Sequence, residues 1–434
     1  MKKFVNRAGR IALLAAPALG LAASPALAQD AVLDTGDTAW MLTSTCIVLM
    51  MTIPGLALFY GGMVRKKHVL AMTMQSFAAA CVLTVVWMVI SYSLAFTDGG
   101  GANAFVGGLD NMFLAAMGKD SLTGTIPESV FMMFQMTFAI ITPALIGGAV
   151  ADRMKFSTML VFMVLWQIVV YAPVTHWVWG GGFLMDDGVL DFAGGTVVHI
   201  NAGVAGLVAA LIVGKRHGYG SEYMAPHNLV LTVIGGSLLW VGWFGFNGGS
   251  ALSAGTSAGM AVAVTQISAA AAGTAWMVLE WVVRGKPSIL GIVSGAIAGL
   301  VGITPAAGFV APGGALAIGL LTGAACFWSV TWLKNKLGYD DSLDCFGVHG
   351  LGGIVGAILT GVFASESIGG TPGLLEGNPG QVWTQIEGIA ATVLWTGFAS
   401  AAILLVLKSV MGLRPGVEAE VEGLDLALHG ETVH

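Results

Sequence analysis

A chain of 434 residues in which 56% are hydrophobic and 10% charged is no soluble domain, where charged residues make up about a quarter. A mean hydropathy of +0.83 belongs to a polypeptide that crosses a bilayer many times. The net charge of −6 identifies no partner, because in such a chain the distribution of charge between connections matters more than its sum, and nothing points to nucleic acid.

Lys2, Lys3, Arg7 and Arg10 precede a short apolar run from Ile11 to Ala22, and Ala26-Leu27-Ala28 supplies the small residues of a cleavage site. Residues 1–28 are expected to be a signal peptide, since the run is shorter than the roughly 20 residues a span requires. From Thr38 onward, eleven apolar segments are long enough to cross, with cores near 39–61, 70–95, 127–149, 156–175, 194–213, 228–248, 258–281, 288–304, 313–332, 346–363 and 385–408.

Basic residues fall at alternate connections: Arg65, Lys66 and Lys67, then Arg153 and Lys155, Lys215 and Arg216, Arg284 and Lys286, Lys334 and Lys336, and finally Lys408 and Arg414. The intervening connections carry only Lys119. The positive-inside rule therefore places the basic connections and the C-terminus in the cytoplasm and the mature N-terminus outside. The expected organisation is a membrane domain over 29–408 and a cytoplasmic tail over 409–434. A cleaved leader points to a bacterial inner membrane.

Gly291, Gly295 and Gly299, and likewise Gly352 and Gly356, form small-xxx-small stripes that let helices approach closely in lipid. Cys46, Cys81, Cys326 and Cys345 have no paired spacing and read neither as disulfides nor as a zinc site. No metal motif, nucleophile elbow or cofactor fingerprint is present, so neither an enzyme nor a bound cofactor is expected.

The most informative positions are His199 and His349, each deep inside an apolar segment. An ionisable group at membrane depth is costly and marks function by default, and histidine exchanges protons near neutral pH. Asp191 precedes the fifth span and His199, and Asp344 precedes the tenth and His349. Lying five spans apart, the two segments run in opposite directions, as in an inverted repeat whose site sits near the midplane.

These segments resemble the ammonium transporter (Amt) family of the Amt/Mep/Rh superfamily, in its bacterial form. The resemblance is carried by Asp191-Phe192-Ala193-Gly194-Gly195-Thr196-Val197-Val198-His199-Ile200-Asn201-Ala202-Gly203, by Leu58-Phe59-Tyr60-Gly61-Gly62, by Phe134-Gln135-Met136-Thr137-Phe138, by Trp179-Gly180-Gly181-Gly182, by Trp243-Phe244-Gly245-Phe246-Asn247-Gly248-Gly249-Ser250 and by Asp344-Cys345-Phe346-Gly347-Val348-His349-Gly350. It implies an all-α polytopic membrane protein of eleven transmembrane helices with a 5+5 inverted repeat, assembled as a homotrimer with one conduction path inside each subunit.

The chemistry of such a path follows from ammonium itself. Ammonium is close to potassium in size but can lose a proton. Its pKa lies about two units above neutral, so making ammonia at pH 7 costs roughly 3 kcal/mol. Dragging the bare ion through a low-dielectric path costs far more, with Born estimates of tens of kcal/mol. Deprotonation is the cheaper route and excludes potassium.

The resemblance implies that Trp179, Phe138 and Ser250, with Phe134 nearby, recruit ammonium at an outer site through cation-π contacts and a hydroxyl acceptor. It also implies that Phe138 and Phe246 stack as a hydrophobic gate, and that His199 and His349 line the dry path as a proton relay, both neutral at rest. Asp191 is expected chiefly to cap the fifth span, Asp344 to cap the tenth, and Asp341 to support the exit vestibule. Arg414, Glu420, Gly423 and Asp425 resemble a regulatory tail that packs on a neighbouring subunit's inner face, with a PII-type signalling protein as its partner. The alternatives are an ammonium sensor signalling through that tail and an electroneutral Rhesus-type ammonia channel.

Overall fold

The computed structural model describes residues 32–433, and the expected signal peptide lies outside them. The described chain is a helical bundle built from α1 (Thr35–Met63), α2 (Lys66–Phe96), α3 (Glu128–Ala149), α4 (Phe156–Asp186), α5 (Gly195–Val213), α6 (Leu229–Gly249), α7 (Thr256–Arg284), α8 (Ile289–Ile303), α9 (Pro312–Leu337), α10 (Phe346–Phe363) and α11 (Gly380–Val410). A two-residue hairpin, β1 (Leu122–Thr123) with β2 (Ile126–Pro127), sits in the loop before α3. Ten of the helices are long and apolar enough to cross a membrane, and α8 is the short one. At 1.5 Å per residue α8 reaches roughly 22 Å, less than the ~30 Å of a hydrocarbon core. Beyond it, Thr304 to Gly308 continue as buried turns before Val310 bridges to Ala364. Irregular backbone at that depth is tolerated because protein, not lipid, surrounds it.

The helices begin and end on local signals. The Asn228 side chain accepts from the amides of Val230 and Leu231 to start α6. Ser288 accepts from Gly291 to start α8. Polar caps of this kind satisfy amides that the first helical turn leaves unpaired. The fourth helix runs past its expected end near 175 and breaks at Gly180. It does so because the polar His176 is hydrogen-bonded to the carbonyls of Ala95 and Asn103, not exposed to lipid.

Helix α3 is the centre of the bundle, with every residue from Phe134 to Ala149 buried. Glycine sets how closely the others approach. Gly291, Gly295 and Gly299 of α8 lie against Glu280, Trp276 and Ser268 of α7, and Gly356 of α10 lies against Gly302 of α8. Between α5 and α10 the backbones touch at Gly203 and Gly350, where any side chain at Gly203 would fall on the peptide of Gly350. This contact brings the two histidine-bearing helices together.

Five of the basic connections converge on one end of the molecule. Arg65 pairs with Asp152 at 3.1 Å and Arg216 with Asp340 at 2.8 Å, while Arg153 donates to the carbonyls of Gly214 and Asp340. Burial alone would raise the Asp340 carboxyl, but the Arg216 guanidinium and its hydrogen bonds hold it below the usual carboxylate range.

The tail docks at the same end and on its own chain. Arg414 makes a two-pronged bond to Glu420 and donates to the carbonyl of Lys215. Asp425 accepts from the amides of Leu70 (3.0 Å) and Ala71 (2.7 Å) in the first turns of α2. Gly423, at φ 122°, fits against Lys67, whose Nζ donates to the carbonyl of Val421. Within the subunit the acidic tail is held because its carboxylate meets amides at the N-terminal end of α2.

Candidate functional site

The cavity at the centre of the subunit is lined by α1, α3, α5, α6, α8 and α10. Helices α5 and α10 each bring one histidine to the Gly203–Gly350 crossing. The rings are buried and nearly parallel, 20° apart, with Nδ1 of His199 3.3 Å from Nδ1 of His349. One ring must donate there and the other accept, so the pair shares a single proton at that position. Among the described residues the Nε2 atom of His199 has no hydrogen-bond partner.

Trp243 and Phe246 of α6 stack on His199 at 5.4 and 5.9 Å between ring centroids. Phe246 in turn lies 4.2 Å from Phe138 of α3, the planes inclined by 33°. Both phenyl rings are about 1% exposed. Below the rings, a cavity of about 10 Å³ is lined by Ile141, Leu145, Val198, Leu239, Trp243 and the two histidines. That volume holds roughly one water-sized molecule.

Above the phenyl pair opens a vestibule of about 330 Å³, lined by Phe131, Gln135, Trp179, Phe192, Ser250 and Leu252 among others. Trp179 is fixed by a bond from Nε1 to the Asp191 carbonyl (2.8 Å) and stands perpendicular to Phe138. The Ser250 hydroxyl donates to the Phe246 carbonyl, which leaves its oxygen free to accept. Phe134 packs edge-on against Phe138 and is fully buried behind the vestibule, so it braces the site from outside it. Its place on the wall is taken by Phe131 and Gln135, which precede Phe138 on α3 by seven and three residues. That i−7 and i−3 spacing from Phe138 is the signal in the sequence for them.

At the other side His349 opens into a second vestibule of about 190 Å³, lined also by Tyr60, Trp276, Glu280, Arg284 and Asp344. Glu280 and Arg284 stand at its rim, joined at 3.0 Å. The sequence offered no signal for them beyond their charge at the end of an apolar helix.

The two aspartates of the tenth span exchange their expected roles. Asp341 is fully buried and accepts from the amides of Cys345 (3.0 Å) and Phe346 (2.7 Å), capping α10. Asp344 accepts from Lys334 Nζ at 2.7 Å and faces the second vestibule. The reason is conformational, since Asp344 has φ 59° and turns its side chain away from the helix start. On the other side Asp191 accepts from the amides of Gly194, Gly195, Thr196 and Val197 and from the Thr196 hydroxyl. His199 lies eight residues after Asp191 and His349 eight after Asp341, so the two capped helices match in spacing.

A multi-pass helical bundle that holds a narrow apolar path between two vestibules is a membrane transporter. The sequence profile of the Ammonium Transporter Family matches residues 39–434, and the chain belongs to that family; its function is ammonium transport. It is 52% identical to the ammonium transporter of Aquifex aeolicus over 96% of this chain and 97% of that one. Among solved structures it resembles Saccharomyces cerevisiae Mep2, with a TM-score of 0.83, 38% identity and coverage of 89% and 88% of the two chains. It also resembles a sensor Amt protein, with a TM-score of 0.85, 27% identity and coverage of 91% and 98%. Among the described residues, no cluster of histidine, cysteine or acidic groups is arranged to hold a metal ion.

Proposed function

We propose that this chain recruits ammonium between Trp179 and Ser250 in the outer vestibule and takes its proton there. Ammonia then passes between Phe138 and Phe246 and past His199 and His349 to the inner vestibule. The proton crosses separately along the shared Nδ1–Nδ1 hydrogen bond, and ammonia and proton recombine at the inner end. The observation that carries this reading is the order of three separate spaces along the subunit. Trp179 and Ser250 line the space above the phenyl pair, both histidines line the one-molecule cavity below it, and His349 also lines the inner vestibule. A hydrated ion does not fit a cavity of that size, whereas ammonia does.

The proposal extends to the assembly: eleven crossings with α8 as the short one, an outside N-terminus after removal of residues 1–28, a cytoplasmic tail from 409, and a homotrimer in a bacterial inner membrane. The tail, tied down by Asp425 and Gly423, is the proposed landing point of a PII-type protein. The second reading, an ammonium sensor, draws on the likeness to the sensor Amt protein and on the tail's docking beside the basic end. The higher identity to the Aquifex aeolicus ammonium transporter favours transport.

The test is a current measurement on a solid-supported membrane after an ammonium jump, for wild-type proteoliposomes and for His199→Ala and His349→Ala. A saturable wild-type current that potassium does not elicit and that the variants lose or alter supports the mechanism. No current from folded protein defeats the proton step and leaves neutral ammonia passage or sensing.

A further inference from the structure

His176 is buried at the outer end of α4, away from the conduction path. Both of its ring nitrogens face backbone oxygens, Nδ1 at 3.0 Å from the Ala95 carbonyl and Nε2 at 2.7 Å from that of Asn103. A carbonyl oxygen only accepts, so each contact needs an N–H on the ring. A neutral imidazole has one N–H and an imidazolium has two. In either neutral tautomer one bare nitrogen would be held against an oxygen lone pair in a buried site. His176 also occupies the last turn before the break at Gly180, and its own carbonyl accepts from the amides of Gly180 and Gly182. A helix C-terminus carries partial negative charge that favours a cation.

We propose that His176 is an imidazolium in the folded protein and a positioning residue for the outer cation site, tying the outer end of α2 and the loop after it to the turn that carries Trp179. The surrounding bonds draw the same parts together. Asn103 Nδ2 donates to the Gly181 carbonyl at 3.0 Å, Trp177 Nε1 to that of Phe105 at 2.6 Å, and the Phe183 amide to that of Ala104 at 3.0 Å. A side chain on Gly180 would collide with the Ala95 carbonyl and with the ring itself, so the turn closes directly over the imidazole.

Among the described residues the only histidine ion pair is His217 with Glu222, and no carboxylate neutralises His176. The titratable groups on the elements around it are turned elsewhere. Tyr92 of α2 donates to Glu128 of α3, Asp98 of the loop accepts from the Gly100 amide, and Asp191 is occupied by the first turn of α5. Asp110, Asp186 and Asp187 are exposed. The positive charge is therefore held by backbone dipoles alone, each ring N–H meeting one carbonyl.

The proposal rests on the reading above only where it makes Trp179 the outer cation site; the protonation state is tested without it. Thr175-His176 is the only Thr-His pair in the chain. Carbonyl-13C threonine with 15N,13C histidine in the full-length protein thus singles out this imidazole by solid-state NMR in liposomes. Both ring nitrogens are expected to carry protons at neutral pH, and one protonated with one bare nitrogen overturns the proposal. His176→Gln, whose N–H donors all sit on one nitrogen and whose other polar atom only accepts, cannot donate to both carbonyls in the imidazolium's geometry and is expected to raise the ammonium concentration for half-maximal uptake several-fold while keeping the maximal rate. An equal loss of both, or neither, removes the positioning role. If His176→Gln does not assemble, Asn103→Ala, which loosens the same loop at Gly181, is expected to shift the half-maximal concentration in the same direction, and no shift counts against the role. A wild-type protein with a doubly protonated His176 but no uptake would overturn the transport mechanism and leave the imidazolium standing.

Discussion

Nδ1 of His199 meets Nδ1 of His349 at 3.3 Å inside a cavity with room for about one small molecule. Each ring is thereby both a wall of the path and half of a hydrogen bond. His349→Ala removes both functions. The cavity should enlarge enough to admit several waters, and His199 should lose its only side-chain hydrogen-bond partner. The expected outcome is a potassium leak in proteoliposomes where wild type has none; a variant that still discriminates fully against potassium would show that the ring's bulk is not what excludes hydrated ions.

The phenyl pair predicts a loss of stability as well as a change in flux. Phe246 touches Phe138, Trp243 and His199, so Phe246→Ala should cost about 3–5 kcal/mol. Phe246→Leu should cost less and keep the barrier, because an aliphatic side chain of similar reach still excludes water. Thermal unfolding in detergent, set beside ammonium and potassium fluxes for the two variants, separates packing from gating.

Asp191 and Asp341 cap equivalent helices with different numbers of bonds, four amides and a hydroxyl against two amides. Each Asp→Asn change turns a charged acceptor into an amide that offers one acceptor oxygen, and hydrogen bonds to charged groups are worth roughly 1.5–3 kcal/mol. Asp191→Asn is expected to lower the melting temperature more than Asp341→Asn. Burial raises the Asp341 carboxyl above its ordinary range, against the opposing charge of Lys334, which further reduces what its charge contributes at neutral pH.

Acid sensitivity should appear at the Arg216–Asp340 pair. Because the folded carboxyl of Asp340 lies below its ordinary value of 3.8, its contribution to stability is complete above that value and is lost as pH falls through the lower folded one. In melting curves recorded between neutral and acid pH, Asp340→Asn should be less stable than wild type near neutrality and should approach it as the pH drops. A constant difference at every pH would assign the pair no linked proton.

Gly423→Ala tests the docked tail. The residue sits at φ 122°, and an added methyl would meet Lys67. A strain of about 1–3 kcal/mol is enough to release a short segment held by a few bonds. The tail of this variant is expected to be cut by protease faster than that of wild type, with the membrane domain's melting temperature little changed.

Much of this protein is legible in its residues because lipid is a demanding solvent. Backbone polar groups must be satisfied within each crossing, so apolar length alone locates the helices: the expected cores at 127–149, 194–213 and 346–363 lie within a residue of α3, α5 and α10. Two histidines in apolar runs, and aromatic strings on α3, α4 and α6, stand out for the same reason. The fourth span extends beyond its expected core of 156–175 to Trp179, where the buried His176 meets carbonyls 81 and 73 residues earlier in the chain.

What the sequence alone determined is therefore the class of protein, the positions of its helices, the face on which its basic connections gather, and the residues unusual enough to carry the chemistry. Only the tertiary structure decided which of those residues share a wall. It set Phe131 and Gln135 in the vestibule and Phe134 behind it, gave the cap of α10 to Asp341 and the vestibule to Asp344, and bent the tail back onto its own chain. The reason is physical: burial in lipid is a property of a segment and can be read along the chain. Contact between two side chains depends on helix rotation, on a backbone angle such as that of Asp344, and on the glycine crossing of α5 with α10, which no local pattern records.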